Sequence, residues 1–251
     1  MPEGPPGAWR CAVGARNCAQ NGRESPSPYC IRADPEDGSE RGLLGGTGCA
    51  RCYDDEVIRT ANLAWAAGLR TVFLDRDGIL NEKMPEHRYV TRWEEFRLLP
   101  GVPEALRRLN EAGLRVVVVS NQRGIAKGLY TAADLEAMHA QFQRLLELEG
   151  ARIDAFFICP HETAECNCRK PLPGLFEQAV ARFPEITAAT SVMIGDSPTD
   201  VEFGRRLGMK TILVDAQHRA AGAEEAAKLA DLRLASLPEA VDALLAANSR
   251  R

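Results

Sequence analysis

Two aspartates, Asp75 and Asp77, stand one residue apart directly after a short apolar run, Thr71 to Leu74. A run of this kind is typical of a strand buried in a parallel sheet, where ligands bind at the carboxyl ends of the strands. Because Gly78 permits a tight turn there, the two carboxylates could hold a divalent cation and present an oxygen nucleophile. Alternatively, they could simply cap a turn, so the choice depends on partners at other strand ends.

Such partners follow three later apolar runs. They are Ser120, Asn121 and Gln122; Arg169 and Lys170; and Asp196, with Asp200 placed to support it from the following helix. A hydroxyl and an amide in a turn can bind phosphate oxygens, and a lysine can do so as a point charge. An oxygen nucleophile, a carboxylate metal site, a hydroxyl and a lysine would therefore meet at one edge of a single sheet. This convergence argues against the alternative that Asp75 and Asp77 only cap a turn.

A cluster of soft ligands precedes Arg169 and Lys170. Cys159, His161, Cys166 and Cys168 offer four potential zinc ligands within ten residues. A closed site of this composition is structural and would stiffen the loop that carries the two basic residues. The spacing C-x-H-x₄-C-x-C departs from the common zinc knuckle, so reduced, buried cysteines are the alternative.

The elements that must position these residues alternate regularly between strand and helix from residue 69 onward. We predict strands at 71–74, 114–119, 153–158, 191–194, 211–214 and 232–234, and helices at 102–112, 131–149, 173–183, 201–207 and 238–247. Such alternation predicts an α/β fold, with a Rossmann-like parallel sheet and helices on both faces.

The composition excludes several classes of protein. With 251 residues, 45% of them hydrophobic and 26% charged, the chain suits one globular domain with an appendage. No apolar run approaches the ~20 residues of a membrane span, and no secretion signal is apparent. The net charge of −4 does not favour nucleic acid as a partner. We therefore expect a cytoplasmic monomer without nucleic-acid or membrane partners.

Residues 1–68 differ in kind from residues 69–251. They are rich in Gly, Pro, Ser and Arg, contain no lysine and show no sustained periodicity before Asp55. We predict a disordered N-terminal extension of unknown role, in which residues 55–69 could form one short helix. Cys49 and Cys52 have the spacing of a metal knuckle, but no histidine or second close pair accompanies them, so we assign them no metal. A misplaced translation start is an alternative explanation of this region.

Four segments resemble, in order, the four motifs of the haloacid dehalogenase (HAD) superfamily of phosphohydrolases. They are Phe73 to Gly78, Ser120 to Gln122, Lys170, and Gly195 to Asp200. The resemblance implies a HAD-type fold, and the segments after Asp77 and Ser120 are too short for a separate cap domain. Within the superfamily, residues 121–128 and the cysteine loop look like those of the heptose bisphosphate phosphatases and the related histidinol-phosphate phosphatases.

The resemblance also implies a role for each residue. Asp75 would be the nucleophile that forms an aspartyl-phosphate, and Asp77 the general acid and then base. Ser120 and Lys170 would hold the phosphate oxygens. The remaining implied roles are Mg²⁺ on Asp75, the backbone carbonyl of Asp77, and Asp196; substrate binding by Asn121, Gln122, Arg123 and Arg169; and structural Zn²⁺ on Cys159, His161, Cys166 and Cys168.

The implied reaction is removal of the 7-phosphate of D-glycero-D-manno-heptose 1,7-bisphosphate, a small phosphorylated metabolite. Histidinol phosphate is an alternative substrate, since the short spacer between His161 and Cys166 occurs in that group too; the pattern Gly124-Ile125-Ala126-x-Gly128 favours the heptose group. A polynucleotide 3′-phosphatase shares the pattern N-Q-x-G-I, but the acidic chain and the cysteine loop argue against it. A non-catalytic phosphosugar-binding protein would be expected to have lost the nucleophile, and Asp75 is present.

Two positions depart from the family pattern. Ile79 stands where the superfamily often has threonine, although related sequences often carry an apolar residue there. Ser197 stands where some heptose bisphosphatases have a lysine, which removes one possible substrate contact.

Overall fold

The structure, a computed structural model, describes residues 9–11, 30–32, 63–85, 88–215 and 222–248. Its strands are β1 (Trp9–Cys11), β2 (Cys30–Arg32), β3 (Thr71–Leu74), β4 (Arg115–Asn121), β5 (Ala155–Cys159), β6 (Ser191–Gly195), β7 (Lys210–Val214) and β8 (Leu232–Leu234). Its α-helices are α1 (Val102–Glu111), α2 (Ala132–Leu148), α3 (Gly174–Arg182), α4 (Pro198–Leu207), α5 (Ala223–Leu229) and α6 (Leu237–Asn248). Short 3₁₀ helices occupy Ala64–Gly68, Trp93–Glu95 and Ala188–Thr190.

Six strands form one parallel sheet in the order β5-β4-β3-β6-β7-β8. All residues of β3 and β6 are buried, as expected for central strands covered on both faces. Helix α1 packs on β4, α3 on β5 and β4, and α4 on β6 and β7. The predicted α/β fold with a parallel sheet is confirmed. Between β3 and β4, and again between β4 and β5, the described residues contain one α-helix each, so no cap domain is inserted there.

A hydrophobic cluster lies beneath the carboxyl ends of the central strands. It includes Phe73 of β3, Val119 of β4, Met193 of β6 and Phe203 of α4. Cys159 and Cys168 belong to the same cluster, and Cys166 packs against it while only partly buried. The cysteine loop is therefore anchored in the core rather than attached to the surface.

Apart from shifts of one or two residues at other element ends and two short 3₁₀ helices, the predictions made for residue 55 onward differ from the described structure in three places. Helix α4 begins at Pro198 rather than at residue 201, because Ser197 and Asp200 form a reciprocal capping box. Helix α5 was not predicted, since Ala226 is its one buried residue among those described and a short alanine-rich segment has little periodicity. Of the short helix expected at 55–69, the described part is the 3₁₀ turn at 64–68.

The N-terminal residues form a unit of their own, Met1–Ala61. Within it β1 pairs antiparallel with β2, which the sequence analysis did not predict. Residues 63–68 of the predicted extension are described and fall in the second unit, Asn62–Arg251. The remaining residues of the extension lie outside the described residues, so the division of the chain at residue 68 stays a prediction.

Candidate active site

The carboxyl ends of β3, β4 and β6 open into a cleft of about 290 Å³. Seven of its lining residues belong to the predicted site: Asp75, Asp77, Ser120, Asn121, Arg169, Lys170 and Asp196. Four more lining residues complete its walls: Lys83, Ser197, Thr199 and Asp200. Parallel topology thus brings together side chains that are up to 125 positions apart in the sequence, from Asp75 to Asp200.

Lys170 is a buried cation held between two carboxylates. Its Nζ lies 2.8 Å from Oδ1 of Asp75 and 2.7 Å from Oδ1 of Asp200, and it donates to the carbonyl oxygen of Val119 at 2.6 Å. Burial alone would lower the pKa of Lys170, but the carboxylates of Asp200 and Asp75 raise it above its ordinary value. Lys170 therefore stays protonated and fixes the position of Asp75.

Oxygen atoms of Asp75, Asp196 and Asp200 lie within 4.8 Å of one another. Burial raises the pKa of Asp75, against the opposing effect of Lys170, and raises the pKa of Asp196 to about 7, against that of Lys83. Oδ1 of Asp196 is buried without a hydrogen-bond partner among the described residues. Clustered carboxylates with an unpaired buried oxygen are the donors that Mg²⁺ prefers, so this group fits the ion.

Two glycines allow the carboxylates to come this close. A Cβ atom at Gly78 would lie 2.3 Å from Oδ2 of Asp196, and one at Gly195 would lie 2.3 Å from the Cβ of Asp200. Both positions therefore exclude any side chain, and at Gly78 the positive φ of 90° favours glycine as well.

Asp77 has a different environment from Asp75. Its carboxylate accepts hydrogen bonds from Nη2 of the buried Arg76 at 2.8 and 2.9 Å, from Nδ2 of Asn81 at 2.9 Å and from Nε2 of Gln122 at 3.1 Å. Burial would raise the pKa of Asp77, but the Arg76 guanidinium and these hydrogen bonds hold it below its ordinary value. In the free site Asp77 is therefore an ionised, firmly oriented carboxylate.

The three residues after Ser120 have different surroundings. Asn121 lines the cleft, and its side-chain amide accepts from the backbone N–H of Lys170 at 2.9 Å and donates to the Lys170 carbonyl at 3.1 Å. Gln122 is buried and donates to Oγ of Ser120 at 2.8 Å. Arg123 forms an ion pair with Glu162 in the cysteine loop. Gln122 and Arg123 lie outside the cleft lining, so their predicted contact with substrate stays a prediction.

The four predicted zinc ligands meet in space. Nδ1 of His161 lies 3.2 Å from Sγ of Cys168 and 3.8 Å from Sγ of Cys159. Sγ of Cys166 lies 3.5 Å from that of Cys159 and 3.3 Å from that of Cys168. A tetrahedron with Zn–S near 2.3 Å and Zn–N near 2.0 Å has edges of about 3.5–3.8 Å. The four side chains therefore fit a tetrahedral zinc ion.

Sequence reasoning missed three residues that shape the site. Lys83 forms a 2.6 Å ion pair with Oδ2 of Asp196, Arg76 holds Asp77, and Tyr130 donates to Oε1 of Gln122. None of the three residues belongs to a recognisable sequence motif, because each acts through a contact that forms only when the loops fold. The one available signal was the position of Arg76 between the two aspartates.

In the described part of the chain, no helix has the length and apolar character needed to cross a membrane.

The fold and the site together define an enzyme, a phosphohydrolase with a buried carboxylate as its candidate nucleophile. The chain belongs to the haloacid dehalogenase-like hydrolase family, whose model matches residues 26–208. A protein from Mycobacterium tuberculosis named D-glycero-alpha-D-manno-heptose-1,7-bisphosphate 7-phosphatase is 39% identical over 137 residues, which cover 54% of this chain and 72% of that relative. A Pseudomonas putida protein named as the beta-anomer phosphatase is 37% identical over 147 residues, 58% of this chain and 82% of that relative.

Solved structures give the same result. The crystal structure of D,D-heptose 1,7-bisphosphate phosphatase from B. bronchiseptica, complexed with magnesium and phosphate, superposes with a TM-score of 0.63 at 30% identity, covering 71% of this chain and 99% of that one. The predicted HAD phosphatase class is therefore confirmed.

The Lys170 contacts predict a specific stability effect. Lys170→Met leaves Asp75 and Asp200 buried without their cation, so we expect the free energy of unfolding to fall by about 3–5 kcal/mol. Urea denaturation without divalent ions measures it. Lys210→Met, which removes an exposed ion pair with Asp231 away from the cleft, should cost no more than about 1 kcal/mol. Equal losses in the two variants would contradict the electrostatic account.

Proposed function

We propose that this phosphatase removes the 7-phosphate of D-glycero-D-manno-heptose 1,7-bisphosphate, with Mg²⁺ as cofactor and an aspartyl-phosphate as intermediate. The observation that carries the proposal is the position of Asp75, with one oxygen on Lys170 and the carboxylates of Asp196 and Asp200 beside it. We further propose a cytoplasmic monomer that acts on a small phosphorylated sugar rather than on nucleic acid.

In the first step, an oxygen of Asp75 attacks phosphorus in line with the bond to the leaving oxygen. The new bond joins Asp75 to phosphorus, and the bond from phosphorus to the sugar oxygen breaks. Ser120 and Lys170 hold the equatorial oxygens, where negative charge is spread in the transition state. Asp77 gives its proton to the leaving oxygen; an incoming phosphate brings negative charge that opposes the effect of Arg76 and favours protonated Asp77.

In the second step, a water molecule attacks phosphorus and the bond to Asp75 breaks. Asp77, left ionised by the first step, takes the proton of the attacking water. Its hydrogen bonds to Arg76, Asn81 and Gln122 keep the carboxylate ionised and in one orientation, so it has no proton of its own when the water arrives.

The candidates to hold Mg²⁺ are the carboxylates of Asp75 and Asp196 and the backbone carbonyl of Asp77. Asp200, which the sequence analysis treated as a supporting residue, belongs to the same cluster and is a further candidate. The chemistry that the ion supplies is neutralisation of the repulsion between an anionic carboxylate and an anionic phosphate.

A bisphosphate needs a second anion-binding region at the cleft. Arg169 lines the cleft, and its Nη1 is buried without a hydrogen-bond partner among the described residues. An unsatisfied buried guanidinium nitrogen is costly unless a ligand accepts from it, and a phosphate can do so. Arg169 therefore supports a substrate that carries a second phosphate.

A phosphate-release screen tests the substrate. The panel is the alpha and beta anomers of the heptose 1,7-bisphosphate, histidinol phosphate and a 3′-phosphorylated oligonucleotide, each with Mg²⁺ and with chelator. We expect one heptose anomer to give the highest kcat/KM and chelator to abolish its turnover. Preference for histidinol phosphate or the oligonucleotide would overturn the heptose assignment, and no turnover of any substrate would overturn the catalytic one.

We also propose a structural zinc ion on Cys159, His161, Cys166 and Cys168. The support is the near-tetrahedral arrangement of the four ligand atoms and the position of Arg169 and Lys170 directly after the last of them. The ion would hold this loop in register with β4, an alignment that Asn121 supports through its two hydrogen bonds to the Lys170 backbone.

Cys166→Ser tests the zinc, because Cys166 is the least buried of the three cysteines in the cluster. We expect the zinc content, measured by elemental analysis, to fall from about one ion per chain towards none. Phosphatase kcat/KM should fall by up to about 10²-fold through mispositioned Lys170, with a modest fall in Tm. Cys49→Ser, in the region to which we assign no metal, is the matched control and should change neither quantity. A zinc-free wild type purified under reducing, chelator-free conditions would contradict the proposal, as would a zinc-free variant of full efficiency.

A further inference from the structure

Gln122 occupies a junction between the catalytic carboxylate and the beginning of α2. The side chain is buried, and its Nε2 donates to Oδ2 of Asp77 at 3.1 Å and to Oγ of Ser120 at 2.8 Å. Its Oε1 accepts a 2.6 Å hydrogen bond from the hydroxyl of Tyr130. Every polar atom of the amide is therefore engaged, with the two donor contacts directed at two catalytic residues.

The orientation of the Gln122 amide determines whether its nitrogen or its oxygen faces the Asp77 carboxylate. If the amide were flipped, its oxygen would face the ionised Asp77 carboxylate, and its nitrogen would face the Tyr130 hydroxyl. In the flipped arrangement the amide oxygen and the Asp77 carboxylate would repel each other, because neither can donate a hydrogen bond. The Tyr130 hydroxyl would also lose its acceptor, because the amide nitrogen is itself a donor. Burial raises the pKa of Tyr130 to about 12, so the hydroxyl keeps the proton that it donates.

The surroundings fix Tyr130 in place. The next residue, Thr131, caps α2 in a reciprocal capping box with Asp134. On the other side, the turn at Gly124 passes directly against the ring: a Cβ atom at Gly124 would lie 2.3 Å from Cε1 of Tyr130 and 2.9 Å from its hydroxyl oxygen. The hydroxyl thus reaches Gln122 from a ring that has little freedom to move.

We propose that Tyr130 is a positioning residue for Asp77: its hydroxyl holds the Gln122 amide in the orientation that donates to Asp77. The inference rests on the proposed function, since it takes Asp77 to be the acid that protonates the leaving oxygen. Tyr130 is not among the residues that line the cleft, and its hydroxyl donates to Gln122, through which it would act.

Tyr130→Phe removes the hydroxyl and keeps the ring. Freed of its partner, the Gln122 amide no longer holds Asp77 in one orientation, which matters most when the leaving group needs a proton. We expect kcat for an alkyl phosphate such as the sugar substrate to fall by about tenfold, part of what general acid catalysis supplies. With 4-nitrophenyl phosphate, whose leaving group is acidic, kcat should change less than about twofold. Thr190→Val, a hydroxyl deletion far from the cleft, should leave both rates unchanged.

A double-mutant cycle with Gln122→Met separates positioning from general loosening of the fold. If Tyr130 acts through Gln122, then Tyr130→Phe should have no further effect on alkyl phosphate turnover in the Gln122→Met background. The inference is overturned if Tyr130→Phe lowers turnover by the same factor in both backgrounds. It is also overturned if Tyr130→Phe slows both kinds of substrate equally.

A measurement without substrate keeps the inference separate from the proposed function. The side-chain NH₂ protons of Gln122, assigned in ¹⁵N spectra by their loss in Gln122→Met, should be protected from solvent exchange in the wild type. They should exchange at least about tenfold faster in Tyr130→Phe, because the amide can then rotate away. Unchanged protection overturns the inference even in an active enzyme. A wild type that hydrolyses no phosphomonoester would overturn the proposed function, and this exchange measurement would still decide whether Tyr130 orients Gln122.

Discussion

The site depends on one buried amine. Lys170 reaches from the cysteine loop to contact Asp75 after β3, Asp200 in the first turn of α4 and the carbonyl of Val119 in β4. Taking a charge out of water costs several kcal/mol, and opposite charges with good geometry must offset that cost. Four separate segments of the chain are therefore held at one point, and a shift of any of them removes a hydrogen bond or an ion pair from a buried charge.

The same constraint gives Asp75 and Asp77 different electrostatic environments. Lys170 balances part of the charge of Asp75 and Asp200, while Asp196 adds a third carboxylate whose pKa is raised to about 7 by burial. This local excess of negative charge is what makes the cluster suitable for a divalent cation. Asp77, two residues after Asp75, has its own buried cation in Arg76, which keeps its pKa low. The two carboxyl groups therefore have opposite pKa shifts within one cleft, because the effect of burial prevails at Asp75, whereas the Arg76 guanidinium and the hydrogen bonds outweigh burial at Asp77.

Much of this could be predicted from the sequence, for a physical reason. Apolar runs identified the strands, and a parallel sheet must bring their carboxyl ends together, so Asp75, Ser120 and Asp196 had to meet. The contacts of Lys83 and Tyr130 could not be predicted, because they depend on how irregular loops fold back over the sheet. The ion pair between Arg123 and Glu162 is another contact of this kind, since nothing in the sequence indicated it.

The central claim is that Asp75, held by Lys170 beside a magnesium site, accepts a phosphoryl group. Trifluoroberyllate adds to a carboxylate oxygen as a stable mimic of an acyl phosphate, so ¹⁹F NMR in the presence of Mg²⁺ tests the claim without any choice of substrate. The account predicts a protein-bound fluoride signal in the wild type that is lost in Asp75→Asn and kept in Asp242→Asn, a change at an exposed aspartate of α6. A bound signal that survives in Asp75→Asn, or none in the wild type, would contradict it.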